Sequence, residues 1–265
     1  MLARLLLACS CLLALAGAAR ADACTLVTEL ETGRVLKREG DCERRSSPAS
    51  TFKVPLSLMG FDSGILEDED EPAWPYRPEY KSWNEAWKGT KNPRSWLKDS
   101  VVWYSHVLTR ELGEQRFKRY ADAFGYGNRD VSGDRGKANG LTRAWLSASS
   151  LQISPVEQIA FLRKLLKQEL PVSGKARDMT LAIMPVFPLP DGWTAYGKTG
   201  TGFQPRRDGT FDRSRQFGWF VGWAQKGERR ILFARLIRDE RKENSVASFR
   251  ARDGLLAELP ALIAD

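Results

Sequence analysis

Histidine is almost missing from this chain. Its 265 residues include one, His106. A Ser-His-Asp triad would therefore have no choice of base, and a zinc centre, which normally uses two or three imidazoles, has too few ligands. Cysteine is scarce as well, four in all, and Cys9 and Cys11 fall in an N-terminal segment set apart by its composition. Only Cys24 and Cys42 remain as thiolate donors, so no metal is expected. His106 sits in a helical stretch and reads as a surface or packing residue. Internal repeats and low-complexity segments are absent. Beyond residue 21 no apolar run is long enough to span a bilayer; the nearest, 181 to 190, is broken by Pro185, Pro188 and Pro190. The formal charge of +8 is dispersed, without a basic run or basic helix. Nucleic-acid binders gather such charge on one face, and no nucleic-acid partner is expected.

The first 21 residues read as a cleaved export signal. Arg4 supplies a positive start, Leu5 to Ala19 carry no charge, and Ala19-Arg20-Ala21 offers the small-x-small pattern of a signal-peptidase site. The uncharged run is shorter than the roughly 20 residues that cross a bilayer core. Cys9 is too near the start, and Cys24 follows Asp22-Ala23, so neither suits lipid attachment. The expectation is a periplasmic protein, free of the membrane after cleavage, with residues 22–265 forming a single domain. Cys24 and Cys42 flank two strand-like runs around Gly33. Pairing about Gly33 would set residues 24 and 42 opposite each other, which makes them a disulfide candidate in an oxidising compartment.

Further along, Ser47-Pro48 marks a helix start. Residues 61–100 read as loops and short helices plugged by Trp74, Trp83, Trp87 and Trp96. A helical pattern over 101–124 is interrupted at Gly113, and a Gly- and Asn-rich loop runs over 125–140. Ser154-Pro-Val-Glu157 is a capping box opening a helix with an apolar face of Ile159, Leu162, Leu165 and Leu166. Strands are expected over 193–196, 217–223 and 231–237. A last helix should bury Leu255, Leu256, Leu259 and Leu262. Strands, a mostly helical middle, strands and a helix imply an α/β fold of the α+β type: an antiparallel sheet flanked by helices (about 22–58 and 176–265) with a helical lobe (about 59–175).

Ser50-Thr-Phe-Lys53 puts a hydroxyl and an amine one helical turn apart. A serine hydroxyl needs a neighbouring base, and a lysine can serve if burial keeps it uncharged; Phe52, Val54 and Leu56 supply apolar neighbours. The same spacing at Ser95-Trp-Leu-Lys98 reads as a surface turn. Ser100-Val-Val102, Tyr126-Gly-Asn128 and Lys198-Thr-Gly200 follow. Singly, each is an ordinary turn or strand signal. The glycines of Tyr196-Gly-Lys-Thr-Gly-Thr-Gly202 suit a strand that lets a ligand approach its backbone, where Lys198 and Thr199 offer a cation and a hydroxyl to a carboxylate.

Taken in order, these four motifs resemble the serine penicillin-recognising enzymes, and most closely the class D (oxacillinase-type) β-lactamases. Pro48-Ala-Ser-Thr-Phe-Lys-Val-Pro-Leu-Ser-Leu58 is similar to that family's active-site signature, and the stretches 145–154 and 217–223 also fit. Class A enzymes carry Ser-Asp-Asn where this chain has Ser100-Val-Val102. The resemblance implies a β-lactam substrate, a Ser50 nucleophile, and a Lys53 that takes up CO2 as a covalent carbamate and acts as general base, with no other cofactor. It further implies that Trp145 holds the carbamate beside Val102, and that Ser100 relays a proton. The N–H groups of Ser50 and Thr201 would form the oxyanion hole. Arg250, with Arg252 as a rival, would grip the substrate carboxylate alongside Lys198, Thr199 and Gly200, with Tyr126 and Asn128 also at the substrate site. A penicillin-binding transpeptidase or carboxypeptidase, or a sensor that acylates without turnover, stays open as an alternative; the chain is expected as a monomer or homodimer.

Overall fold

In the computed structural model, which describes residues 23–264, the chain opens with a hairpin of β1 (Cys24–Glu29) and β2 (Val35–Gly40). The export signal expected over 1–21 lies outside the described residues. Gly33 takes a positive φ of 73° in the turn. The register differs from the expected one: Cys24 faces Gly40, and a shift after Val27 sets Thr28 against Val35. Cys42 therefore lies beyond the ladder and cannot face Cys24 as a strand partner. The chain instead doubles back at Gly40, whose φ is 78° and where a Cβ would strike the Ala23 carbonyl. This return brings Cys42 to Cys24, and the disulfide closes with Cα atoms 5.0 Å apart.

Four more strands complete one sheet: β3 (Val186–Pro188), β4 (Thr194–Pro205), β5 (Phe211–Lys226) and β6 (Arg229–Arg238). Their order is β2-β1-β6-β5-β4-β3, antiparallel throughout. β4 and β5 run further than their apolar patterns do. Backbone pairing continues to Pro205 and Phe211, where Phe203 and Phe211 stack at 5.5 Å. Polar residues flank this outer part of the hairpin, which is why the hydrophobic signal stops short.

The sheet separates two apolar layers. Val27, Ala195, Phe220, Ala224, Ile231 and Phe233 face α7 (Ala247–Ile263). The buried stripe of α7 is Ala251, Leu255, Leu259 and Ile263, four residues apart. This corrects the expected Leu256 and Leu262, which are only half-buried. Leu26, Trp219, Val221, Trp223, Leu232, Ala234 and Leu236 face the other way, into the core shared with the helices. There α1 (Lys53–Asp62) is buried along nearly its whole length. α2 (Pro93–Asp99), α3 (Val102–Phe124), α4 (Gly140–Arg143), α5 (Pro155–Leu166) and α6 (Gly174–Ala182) build the helical part.

Ser95 to Lys98 lies inside α2 and is not a surface turn: Asn92 and Ser95 form a capping box and Trp96 is fully buried. Gly113 breaks α3 with φ 72° and ψ 159°, and Ser154 with Glu157 caps α5, both as expected. α6 was not anticipated. No helix among the described residues is long and apolar enough to cross a membrane. Replacing Cys24 and Cys42 together by serine should lower the unfolding free energy by about 3 kcal/mol, the scale for a cross-link closing a loop of this length. A denaturation midpoint unchanged from the parent would show that the sheet alone holds the hairpin.

Candidate active site

The sequence around Ser50 folds as a 3-10 turn, Ala49–Phe52, leading directly into α1. Residues 50 and 53 thus lie one turn apart, and Lys53 Nζ donates to Ser50 Oγ at 3.3 Å. Ala49 enters the turn with φ 49°, a left-handed conformation that costs a non-glycine residue about 1–3 kcal/mol and is common where a site over-determines its backbone. Its N–H donates to the Trp145 carbonyl at 3.0 Å. The Thr51 hydroxyl donates to the Pro48 carbonyl at 2.7 Å and accepts from Gln158 Nε2 at 3.0 Å. The neighbours of Ser50 are therefore pinned on both sides.

Lys53 is 1% exposed. Burial holds its amine well below the usual lysine range, and the nearby Lys198 adds to the effect. Lys198 is buried too, which brings it down to about 7. Its Nζ donates to Ser100 Oγ at 3.0 Å and to the Thr199 carbonyl at 2.9 Å. Ser100 closes α2 in a left-handed conformation (φ 60°), just ahead of Val102 at the start of α3. Val102 and Trp145 are buried in the same apolar cluster as Phe52, and Trp145 stacks on Phe52 at 5.3 Å. His106 packs its ring 5.9 Å from Trp145. Burial first, then the Arg110 cation, lowers its pKa to about 4, so a neutral imidazole stands beside the lysine cavity.

β4 presents an open edge. β3 pairs with it only over 194–196. Gly197 N–H then donates outward to Pro185 O (3.0 Å), and Phe203 N–H outward to Ser147 Oγ (2.9 Å). Every second residue of a strand points its backbone groups the same way, so Thr199 and Thr201 also aim their N–H groups off this edge. Gly200 brings the edge against the turn that carries Ser50: a Cβ there would lie 2.9 Å from Pro48 O and 3.1 Å from Ser50 N. One residue on, Thr201 faces Gly218 in register. A Cβ on Gly218 would overlap the backbone of Ala247 and Ser248. That close packing of α7 lets the Ser248 and Thr201 hydroxyls meet at 2.6 Å.

The structure thus gathers Ser50, Lys53, Ser100, Lys198, Gly200 and Thr201, from α1, the α2–α3 junction and β4. Tyr126 and Asn128 are placed elsewhere. Tyr126 is fully buried against Phe52 and donates to Gln158 Oε1 at 3.3 Å. The side chain of Asn128 donates to Ser150 O at 2.8 Å and accepts from Gln152 N–H at 3.0 Å. Both fasten the segment leading to α5 behind Phe52. Arg250 turns its guanidinium to Asp239, and Arg252 lies over the ring of Phe249 at 4.8 Å. Sequence reasoning missed Ser248, which shows no motif of its own; its one signal is the glycine at 218 that admits it. It also missed the contact of His106 with Trp145.

Among the described residues no group of three or more His, Cys, Asp or Glu side chains is placed to hold a metal ion. The penicillin binding protein transpeptidase domain family matches residues 12–255. The β-lactamase OXA-9 of Klebsiella pneumoniae is 46% identical over 241 residues, covering 91% of this chain and 88% of that protein. The β-lactamase OXA-1 of Escherichia coli is 36% identical, covering 91% and 85%. Among solved structures, the class D β-lactamase OXA-427 superposes with a TM-score of 0.84 at 46% identity, covering 90% of this chain and 97% of that one. With the serine, the two buried lysines and the open strand edge assembled in one place, these likenesses establish that the chain belongs to the class D serine β-lactamases.

Proposed function

We propose that this protein hydrolyses β-lactam antibiotics through an acyl-enzyme on Ser50, with Lys53 supplying the base for both acylation and deacylation, and so confers resistance to penicillins and oxacillin-like compounds. The observation that carries this reading is the 3.3 Å contact between a hydroxyl and a fully buried amine. An amine kept unprotonated by burial has a lone pair to offer.

The lysine cavity fits a carbamate. Burial favours the uncharged, nucleophilic form of Lys53 that adds CO2, and Trp145, stacked on Phe52 in the same apolar cluster, brings an indole N–H donor. When present, the carbamate would supply an anionic oxygen as general base, able to accept the Ser50 proton and later that of the hydrolytic water. Ser50 Oγ attacks the lactam carbonyl, and the N–H groups of Ser50 and Thr201 face the developing oxyanion. Ser100, bonded to Lys198, passes a proton to the departing ring nitrogen. Lys198, Thr199, Thr201 and Ser248 receive the substrate carboxylate. A leader that exports the chain to the periplasm would place it where these drugs act.

A chromogenic cephalosporin should be turned over many times per molecule. A single burst equal to the enzyme concentration would instead place the chain with penicillin-binding proteins or sensors. Ser50→Ala should abolish covalent labelling by a fluorescent penicillin, and persistent labelling would remove Ser50 as nucleophile.

Degassing at mildly acid pH should lower turnover, with bicarbonate restoring it; indifference to both would leave the free amine as the base. Lys198 is charged below about pH 7 and neutral above it, so its pull on a carboxylate is present on the acid side and lost as pH rises. KM for a penicillin should climb above pH about 7. Lys198→Arg, which stays protonated, should flatten that climb; an equally steep profile would show that another group titrates.

A further inference from the structure

Arg250 was expected to grip the substrate carboxylate, yet its Nη2 is spent inside the protein. It donates to both oxygens of Asp239, at 2.8 Å each. The Asp239 side chain is only 4% exposed, and Arg250 Nε is buried without a partner. Asp239 stands immediately after β6. Its N–H donates to the Gln216 carbonyl at 2.8 Å, and its own carbonyl accepts from Gln204 Nε2. The side chain of Gln216 accepts from Ala247 N–H at 3.0 Å, at the start of α7, where Val246 provides no side-chain cap. The ends of β4 and β6 and the middle of β5 therefore converge on the first turn of one helix.

That turn carries Ser248, the residue whose hydroxyl reaches Thr201. Two residues of helix are about 200° of rotation, so Arg250 leaves the helix on nearly the opposite side from Ser248. One side chain meets β4 while the other holds the helix to the end of β6.

We propose that Asp239 and Arg250 are positioning residues: a latch that fixes the first turn of α7 against the sheet, keeps Ser248 on Thr201, and so preforms the pocket for the substrate carboxylate. This rests on the reading of Lys198, Thr199, Thr201 and Ser248 as that pocket. Asp239 is buried while the Arg250 side chain is 33% exposed: removing the arginine strands a buried carboxylate, and removing the carboxylate leaves the arginine with nothing to hold it to the sheet. The contact itself needs both side chains. Either half alone is ineffective, and losing both should be no worse than losing one.

The test uses the full chain with Asp239→Asn, Arg250→Gln and the double variant. Asparagine preserves the shape of Asp239, and glutamine keeps a polar side chain at 250, where truncation to alanine risks failure to fold. KM for a penicillin should rise about tenfold in either single variant and no further in the double, the signature of coupled sites, with little change in kcat. Hydrogen exchange of the amides over 247–250 should speed up in all three. If Arg250 grips substrate directly, Arg250→Gln alone will raise KM, Asp239→Asn will leave or lower it, and exchange over 247–250 will stay as in the parent. That pattern would overturn the latch. Should the parent itself fail to turn over or be labelled by β-lactams, the functional reading falls, while the exchange measurement still decides the latch.

Discussion

Burying a lysine with no carboxylate beside it costs free energy, and the fold around Ser50 directs that cost onto the protonated form. α1 is buried along nearly its whole length between the sheet and the other helices, which leaves Lys53 1% exposed. Phe52 stacks on Trp145 beside it, His106 meets Trp145 at a tilt, and His106 is itself uncharged at neutral pH for the same reason of burial. A second buried amine, Lys198, adds a further penalty on any proton that Lys53 would hold. The protein's chemistry begins with this shared dehydration.

Three stretches far apart in the chain must then converge on one hydroxyl within tenths of an ångström. Two missing side chains allow it. At Gly200 the strand edge touches the backbone of the nucleophile's turn, and at Gly218 the last helix lies directly on β5. Strand alternation converts these approaches into function, since neighbouring positions on β4 face alternately toward α1 and toward α7. Lys198 consequently reaches Ser100 on one face, while Thr201 reaches Ser248 on the other.

Much of this was legible in the residues. The capping box at Ser154, the break at Gly113 and the helix start near Pro48 are local, and local chemistry determines them. Ser50, Lys53, Ser100 and Lys198 were legible because four short motifs stand in order, although none is informative alone. What could not be read was set by tertiary packing. The hairpin register is decided by the pairing of β1 with β6 and by the reversal at Gly40, so symmetry about Gly33 misled. The stripe of α7 follows the sheet beneath it and not the leucines. Tyr126 and Asn128 share a tripeptide with ordinary turns, and only the surrounding fold reveals that they brace the helix behind the nucleophile. Arg250 could not be assigned without knowing that a carboxylate eleven residues earlier in the chain had claimed it.

The exposed side of β4 has a consequence for the protein's behaviour at high concentration. An unpaired strand border invites a second chain to add itself and start an aggregate. Here Pro185 occupies one end of the border and Ser147 the other, so only a handful of peptide groups stay uncovered. An extended polypeptide adding itself there would have to displace one of the two stops, so the brevity of the open interval works against copies zipping together along it.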